Sequence, residues 1–249
     1  MTVPMQLTIR LAEAFLDSPG GVLSIHQVSK RLGIPYGTAY NRIHEMGELG
    51  CIQIVPQGKA KLCTLNPENP MTATLLGLGS AQVTHRFITS DSPLAPLTAK
   101  LRDLVDSRLG DRLQAALLLN FEAFRESAGA VAAGAADRES SLSESGPAPH
   151  PPDDPASQSS LAIDLFLVMA EEGPLDHQLE MGIHAIFPSH LHPRITSMTV
   201  TIPTLVGMLR ERENEAGLAA YHMLRRGLLL QGFERFFTLL LAAFPPRLA

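Results

Sequence analysis

Apolar side chains in the first fifty residues recur at the spacing of helices. The pattern predicts helices over about residues 6–17, 24–33 and 35–49, with a short strand at Val22 and Leu23 ahead of the second helix. The second and third of these helices are short and joined by a tight turn. This arrangement is typical of a helix-turn-helix, although an ordinary two-helix corner gives the same pattern.

Individual residues define where the second helix begins and ends. Ser24 is followed three residues later by Gln27, which is the pattern of a capping box at a helix N-terminus. Gly33 is expected to end that helix. Pro35 suits the opening of the third helix, where a missing N–H costs no hydrogen bond.

The third helix is predicted to have one buried face and one polar face. Short polar groups and an arginine near the N-terminus of such a helix suit contacts with base edges and phosphates in a DNA major groove. The predicted buried positions are Ala39, Ile43, Met46 and Leu49, and the predicted polar positions are Thr38, Asn41, Arg42 and Glu45.

A β-hairpin is predicted after the third helix. Residues 51–55 alternate like a strand, residues 56–59 have the composition of a turn, and residues 60–64 return as a second strand. This turn would pair Cys63 with Ile52. Lysines in and just beyond the turn would place positive charge where a hairpin wing meets the phosphate backbone.

Together, these elements resemble the winged-helix domains of microbial transcription regulators. The resemblance implies a DNA-binding domain over residues 1–66 and double-stranded DNA as its partner. Specific recognition by one such domain usually needs two copies on paired half-sites, so a homodimer is also expected. The residues expected to contact DNA are Thr38, Tyr40, Asn41, Arg42, Lys59 and Lys61.

Both cysteines of the chain fall in the predicted hairpin region. Cys51 and Cys63 are expected to face each other across it, although the turn assigned above would place Cys63 opposite Ile52. The favoured interpretation is two reduced cysteines that pack as small hydrophobic side chains. A disulfide or redox switch is the alternative.

The charge of the chain is unevenly distributed. The net charge is −5, but residues 1–66 carry six basic and four acidic side chains, a net +2, and the remainder therefore carries −7. A mildly basic module on an acidic body fits DNA binding by one end. The start of the chain lacks an export signal and no apolar stretch is long enough to cross a bilayer, so a cytoplasmic protein without a membrane partner is expected.

Helices and strands alternate beyond the hairpin, which predicts an α+β fold. Residues 66–70, rich in Asn and Pro, are predicted to be a hinge within a linker and connecting helix at residues 67–93. Residues 127–160 have almost no large apolar side chains and are predicted to be a disordered insertion. Helices are predicted at about 71–87, 94–108, 174–186, 203–212, 215–226 and 233–243, strands at about 113–119, 161–169 and 195–202, and a short extended piece at 228–230.

The order of these elements resembles the minimal nucleotidyltransferase domain. The similarity rests on a strand followed by a turn and helix, a strand with an aspartate, the Thr-Ile-Pro-Thr-Leu helix at 201–205 and the stretch ending Gly-Leu-Leu-Leu-Gln-Gly at 232. A winged helix joined to such a domain by an Asn-Pro-rich link is a known prokaryotic arrangement. The resemblance implies a winged helix-turn-helix followed, over residues 94–249, by an α/β nucleotidyltransferase-like domain with a small mixed sheet.

The resemblance also indicates where a nucleotide site would lie. The family holds phosphates with a Gly-Ser after the first strand and metal with an Asp-x-Asp on the second, because carboxylates two positions apart share one strand face. Here the corresponding residues are Asn120 and Phe121, then Ala162 and Asp164. Only Asp164 matches, which implies a degenerate site without metal or cofactor.

Three functions from different classes follow from this sequence. The first is a DNA-binding regulator whose second domain senses a small-molecule or nucleotide effector or serves dimerisation, with its last helix as the expected dimer contact. The second is an active nucleotidyltransferase with an altered metal site, and the third is an antitoxin-like interaction module. His184, His190 and His192 are spaced to chelate zinc, but a solvated histidine loop is the favoured interpretation.

Overall fold

Two β-sheets and the helices around them form the part of the chain described by the computed structural model. The fold is of the α+β class, as predicted. The described residues are 5–16, 22–58, 60–121, 162–173, 177–186, 194–210, 224 and 227–243.

The first sheet belongs to the N-terminal elements and has the strand order β1-β3-β2, antiparallel throughout. Helices precede and follow β1, and the two longer strands form a hairpin. In chain order the elements are α1 (Met5–Leu16), β1 (Leu23–Ser24), α2 (Ile25–Leu32), α3 (Tyr36–Glu48), β2 (Ile52–Gln57) and β3 (Ala60–Leu65).

The second sheet has the order β6-β5-β4-β7, with β5 and β6 parallel and the other neighbours antiparallel. Its edge strand β7 corresponds to the stretch that the sequence predicts only as a short extended piece. The elements are α4 (Pro70–Ile88), α5 (Ala95–Leu109), a 3-10 turn (Gly110–Arg112), β4 (Leu113–Leu119), β5 (Ala162–Met169), α6 (His177–Ile186), β6 (Arg194–Thr201), α7 (Ile202–Arg210), β7 (Leu228–Gln231) and α8 (Phe233–Ala243).

The predicted ends of α2 and α3 are confirmed. The Ser24 hydroxyl accepts from the Gln27 amide at 3.2 Å, the Gln27 side chain accepts from the Ser24 amide at 2.7 Å, and Gly33 ends the helix at φ 60°. Leu49, predicted to be buried, is instead 53% exposed. It follows the last residue of α3 and precedes a turn at Gly50 (φ 73°), so helical periodicity no longer fixes its direction.

The hairpin register differs from the predicted one by two residues. Cys63 pairs with Ile54, and Ile52 pairs with Leu65. The reason is a tighter turn: Gln57 pairs with Ala60, so only positions 58 and 59 connect the strands, and Gly58 has the positive φ (58°) that short hairpin turns favour. Proline is tolerated within β2 because this strand lies at the edge of the sheet.

The two cysteines are free and buried, and they do not face each other. The Cys51 carbonyl accepts a hydrogen bond from the Asn66 amide at 2.9 Å. Cys51 therefore lies three residue pairs along the hairpin from the Cys63–Ile54 pair. The Cys63 thiol donates to the Leu23 carbonyl at 2.8 Å. Burial raises the pKa of both thiols, that of Cys63 to about 12, so both stay protonated.

Helix α4 packs between α1 on one side and α8 on the other. A Cβ added at Gly79 would lie 2.9 Å from the Ala12 Cβ of α1, and one added at Gly77 would lie 3.0 Å from the Glu234 amide of α8. A single buried cluster runs from α1 through α4 to α8 and one face of the second sheet. The segment predicted as a connecting helix is therefore a central packed helix.

The segment predicted as a hinge is held by side-chain hydrogen bonds. Asn66 donates to the Gly50 carbonyl and Asn69 to the Leu49 carbonyl, both at 2.8 Å. The Thr72 hydroxyl donates to the Asn66 carbonyl at 2.6 Å. These contacts fix the start of α4 to the end of α3.

The central strands of the second sheet, β4 and β5, are buried on both faces. Alternate residues of β4 and β5 face two separate apolar clusters, one completed by α5 and α6 and the other by α4, α7 and α8. Strands buried on both faces appear in sequence as continuous apolar runs, which is how both were predicted. No helix among the described residues is long and apolar enough to cross a membrane.

The apolar face of α8, the expected dimer contact, packs against α4 and α7 within the same chain. It therefore closes the core, and the expected homodimer stays a prediction. The predicted insertion at 127–160 and nearly all of the predicted helix at 215–226 lie outside the described residues. The buried α8 side chains are Phe236, Phe237, Leu240 and Leu241.

Gly79→Ala should lower the free energy of unfolding by about 1 kcal/mol. The added methyl group would meet the α1 backbone and the Ala12 Cβ, and the cost of this overpacking outweighs the gain in helix propensity. Gly207→Ala on α7 is the matched control, since nothing lies within 4 Å of its added Cβ. It should raise stability by up to about 1 kcal/mol. Urea unfolding of both variants measures the difference, and equal effects would contradict the packing described.

Stability should fall as pH rises from 9.0 toward about 12, because the unfolded chain ionises the Cys63 thiol at a lower pH than the folded chain does. The slope from this thiol is at most about 1.4 kcal/mol per pH unit. Urea unfolding of the wild type and Cys63→Ala on either side of pH 9.0 isolates the contribution. The variant should show a shallower decline, and identical slopes would refute the shift.

Candidate nucleic-acid interface

The N-terminal end of α3 presents a polar, exposed surface. Tyr36 is 48% exposed, and Thr38 and Asn41 are also exposed, as predicted for the two polar residues. The turn before the helix is fixed because the Ser29 hydroxyl donates to the Ile34 carbonyl at 2.7 Å. The opposite face of α3 is buried, so this end of the helix is held firmly against the rest of the module.

Arg42 does not lie on the exposed face where it was predicted. Its side chain is 9% exposed, and its Nη1 donates to the Glu45 carboxylate at 2.6 Å. Arg42 follows Ala39 by three positions and precedes Met46 by four, so helical geometry places it on the same buried face. The spacing of these positions in the sequence therefore already indicates a buried Arg42.

Tyr40, His44 and Lys61 form a polar cluster between α3 and β3. The Lys61 ammonium donates to the Tyr40 hydroxyl at 2.7 Å, lies 3.3 Å from His44 Nε2 and sits 4.5 Å from the Tyr40 ring centroid. The Tyr40 and His44 rings are 4.2 Å apart. His44 was not predicted as a site residue, although it follows Tyr40 by one helical turn.

An open groove lies beside this cluster, between the second half of α3 and the hairpin. Its ionisable lining groups are His44 and Glu48 from α3 and Lys61 from β3, and apolar side chains of β2 line most of the rest. The groove therefore runs between the C-terminal half of α3 and the hairpin strands. The β2 residues that line it are Ile52, Ile54 and Pro56.

Several basic side chains of the N-terminal elements make structural contacts. Arg31 donates to the Ala14 carbonyl at 2.8 Å, and Arg10 donates to the Leu32 carbonyl, so both arginines join α1 to α2. Lys30 is exposed on α2. Lys59, predicted at the hairpin tip, lies outside the described residues.

At the predicted nucleotide site, the structure brings Asn120 and Asp164 together and adds Thr196. Asn120 Nδ2 donates to Asp164 Oδ2 at 2.7 Å, and the Thr196 hydroxyl donates to Asp164 Oδ1. Asn120 directly follows β4 and has φ 54°, a left-handed conformation that asparagine tolerates better than most residues. Thr196 was not predicted because its position depends on the parallel pairing of β5 and β6.

Of the other two residues of the predicted nucleotide site, Phe121 does not join this group. The Phe121 side chain is 5% exposed and its ring meets Phe87 edge-on at a centroid distance of 4.5 Å, so it belongs to the core. Ala162 opens β5 opposite Arg194, and its side chain lies outside the described residues.

The predicted histidine group is only partly described. His184 is exposed on α6, whereas His190 and His192 lie outside the described residues. In the described ranges, no three His, Cys, Asp or Glu side chains are placed to hold a metal ion. Comparisons of the chain with models of protein families, with curated proteins and with solved structures give no match.

Proposed function

We propose that the chain is a cytoplasmic, sequence-specific DNA-binding transcription regulator that contacts duplex DNA through α3 and the β2–β3 hairpin. The observation that carries the proposal is the exposed N-terminal end of α3, where Thr38 and Asn41 project from a helix whose opposite face is buried. Side chains at this end of a second helix are the ones that meet base edges when such a helix enters a major groove.

The elements around α3 support the same function. The order helix, strand, helix, helix, hairpin is that of winged-helix domains, and the hairpin lies beside α3 with Lys61 between them. Lys30, Lys59 and Lys61 supply positive charge, while the rest of the chain is acidic. An acidic body limits DNA contact to the basic end.

A homodimer is part of this proposal, because one domain of this size buries little surface on DNA. Because the apolar face of α8 is buried in the core, the dimer contact is expected on other surfaces. Leu49 and Met71 are two candidates: they are 53% and 52% exposed, and Asn69 ties their segments together. Two chains per saturated duplex site is the expected stoichiometry.

The second domain is proposed to sense an effector or to support dimerisation, as a degenerate nucleotidyltransferase-like unit. Each Asp164 oxygen accepts a hydrogen bond from a neutral side chain, Asn120 or Thr196, and no second carboxylate belongs to this described group. Two-metal phosphoryl transfer needs carboxylates that hold both ions. An effector bound near Asp164 would reach the DNA-contacting elements through the sheet and α4.

Asn41→Ala should weaken binding to a cognate duplex and relax discrimination at one base position, by about 1–3 kcal/mol if its contact is bidentate. Lys59→Ala should weaken binding to all duplexes and lower the salt dependence by about one phosphate contact. Fluorescence anisotropy with genomic fragments, first selected by gel shift, measures both.

Arg42→Ala is the informative comparison for these variants. Because Arg42 is buried beside Glu45, the change should lower thermal stability and leave base discrimination intact. Unchanged affinity in Thr38→Ala, Asn41→Ala and Lys59→Ala on a selected fragment would refute the proposed DNA contact.

The chain should not transfer nucleotides. Incubation with each labelled nucleoside triphosphate and Mg²⁺ or Mn²⁺, with DNA, RNA or the protein itself as acceptor, should leave the acceptors unlabelled. Asp164→Ala should retain DNA binding, since Asp164 lies in the second sheet. Label transfer that disappears in Asp164→Ala would show that the site is active and favour the enzyme alternative.

A further inference from the structure

Lys61 contacts both Tyr40 and His44. Its ammonium group is partly buried, 2.7 Å from the Tyr40 hydroxyl and 3.3 Å from His44 Nε2. An ammonium group has only donors, so a hydrogen bond from Lys61 to His44 uses the Nε2 lone pair of an imidazole that carries its proton on Nδ1. The contact therefore suits a cation facing an accepting ring nitrogen.

If a phosphate binds at this cluster, His44 Nε2 must donate a hydrogen bond instead of accepting one. Phosphate oxygens accept from Lys61, and the nearby Nε2 lone pair would then face an anion. Protonation converts Nε2 into a charged donor. Two neighbouring cations, the Lys61 ammonium and the His44 imidazolium, repel each other when alone, but both attract a phosphodiester that lies between them.

We propose that His44 and Lys61 together bind one DNA backbone phosphate, and that His44 takes up a proton when this phosphate binds. The inference rests on the proposed function and specifies how the same interface holds DNA. Tyr40 provides a third donor for the phosphate through its hydroxyl, once Lys61 turns toward the anion. DNA affinity is thereby linked to pH.

The groups around His44 allow this change. The Lys61 ammonium lies 3.3 Å from His44 Nε2, and the Glu48 carboxylate, one turn along α3, lines the same groove. The Tyr40 ring packs on the imidazole, and the groove residues from β2 carry no charge. Glu45, next to His44 in sequence, is paired with Arg42. The arriving phosphate is thus the group that decides the protonation state.

Isothermal titration of the full chain with duplex DNA in buffers of different ionisation enthalpy counts the protons taken up. About one proton per bound chain is expected near neutral pH. Anisotropy titrations should show that the Kd for duplex DNA rises by up to about tenfold per pH unit between about pH 6 and 8. Histidine NMR signals provide a second readout, since DNA should raise the pKa of one imidazole in the wild type.

His44→Gln is the decisive variant because glutamine accepts from Lys61 and donates to phosphate without titrating. It should bind DNA with no proton uptake, independently of pH and about tenfold more weakly than the wild type near pH 6. His85→Gln, at an exposed position of α4, should keep the wild-type behaviour. Thermal melting of both variants checks that each is folded.

Each outcome discriminates between this inference and the proposed function. Wild-type binding without proton uptake, or uptake that persists in His44→Gln, overturns the phosphate site and leaves DNA binding standing. If the wild type binds no duplex at any pH in this range, the proposed function fails and the site fails with it. Loss of uptake in His44→Gln, together with its retention in His85→Gln, supports both.

Discussion

The packing of α4 between α1 and α8 is the constraint on which the rest of the structure depends. Two glycines, Gly79 toward α1 and Gly77 toward α8, let backbones approach where a Cβ would collide. The Glu13–Arg86 ion pair at 2.8 Å and the bond from the Thr84 hydroxyl to the Leu229 carbonyl at 2.6 Å add specific contacts on either side. One helix thus joins the N-terminal elements to the second sheet.

The position of α3 follows from this packing through a series of contacts between neighbouring helices. Helix α1 is held by α4, and Arg10 and Arg31 then bind α2 to α1 through backbone carbonyls. Asn66 and Asn69 tie the end of α3 to the start of α4. Residues 66–70 are therefore not a free linker, because side-chain hydrogen bonds hold them to the end of α3.

Local structure was largely predictable from sequence because it depends on neighbours within a few residues. The capping box at Ser24, the left-handed Gly33 and the limits of α8 (Phe233–Ala243) all follow from short-range patterns. The α+β class and the two central strands followed from apolar runs. At the proposed interface, the exposure of Thr38 and Asn41 was predicted by the same helical periodicity.

The amino-acid sequence by itself determined where helices and strands form, since hydrogen bonding and side-chain sterics act locally. Only the tertiary structure decided which side chains meet. Asn120 and Thr196 reach Asp164 across 44 and 32 positions, and Lys61 reaches Tyr40 across 21. The hairpin register and the cluster of Tyr40, His44 and Lys61 depend on such distant contacts, which no periodicity within one element encodes.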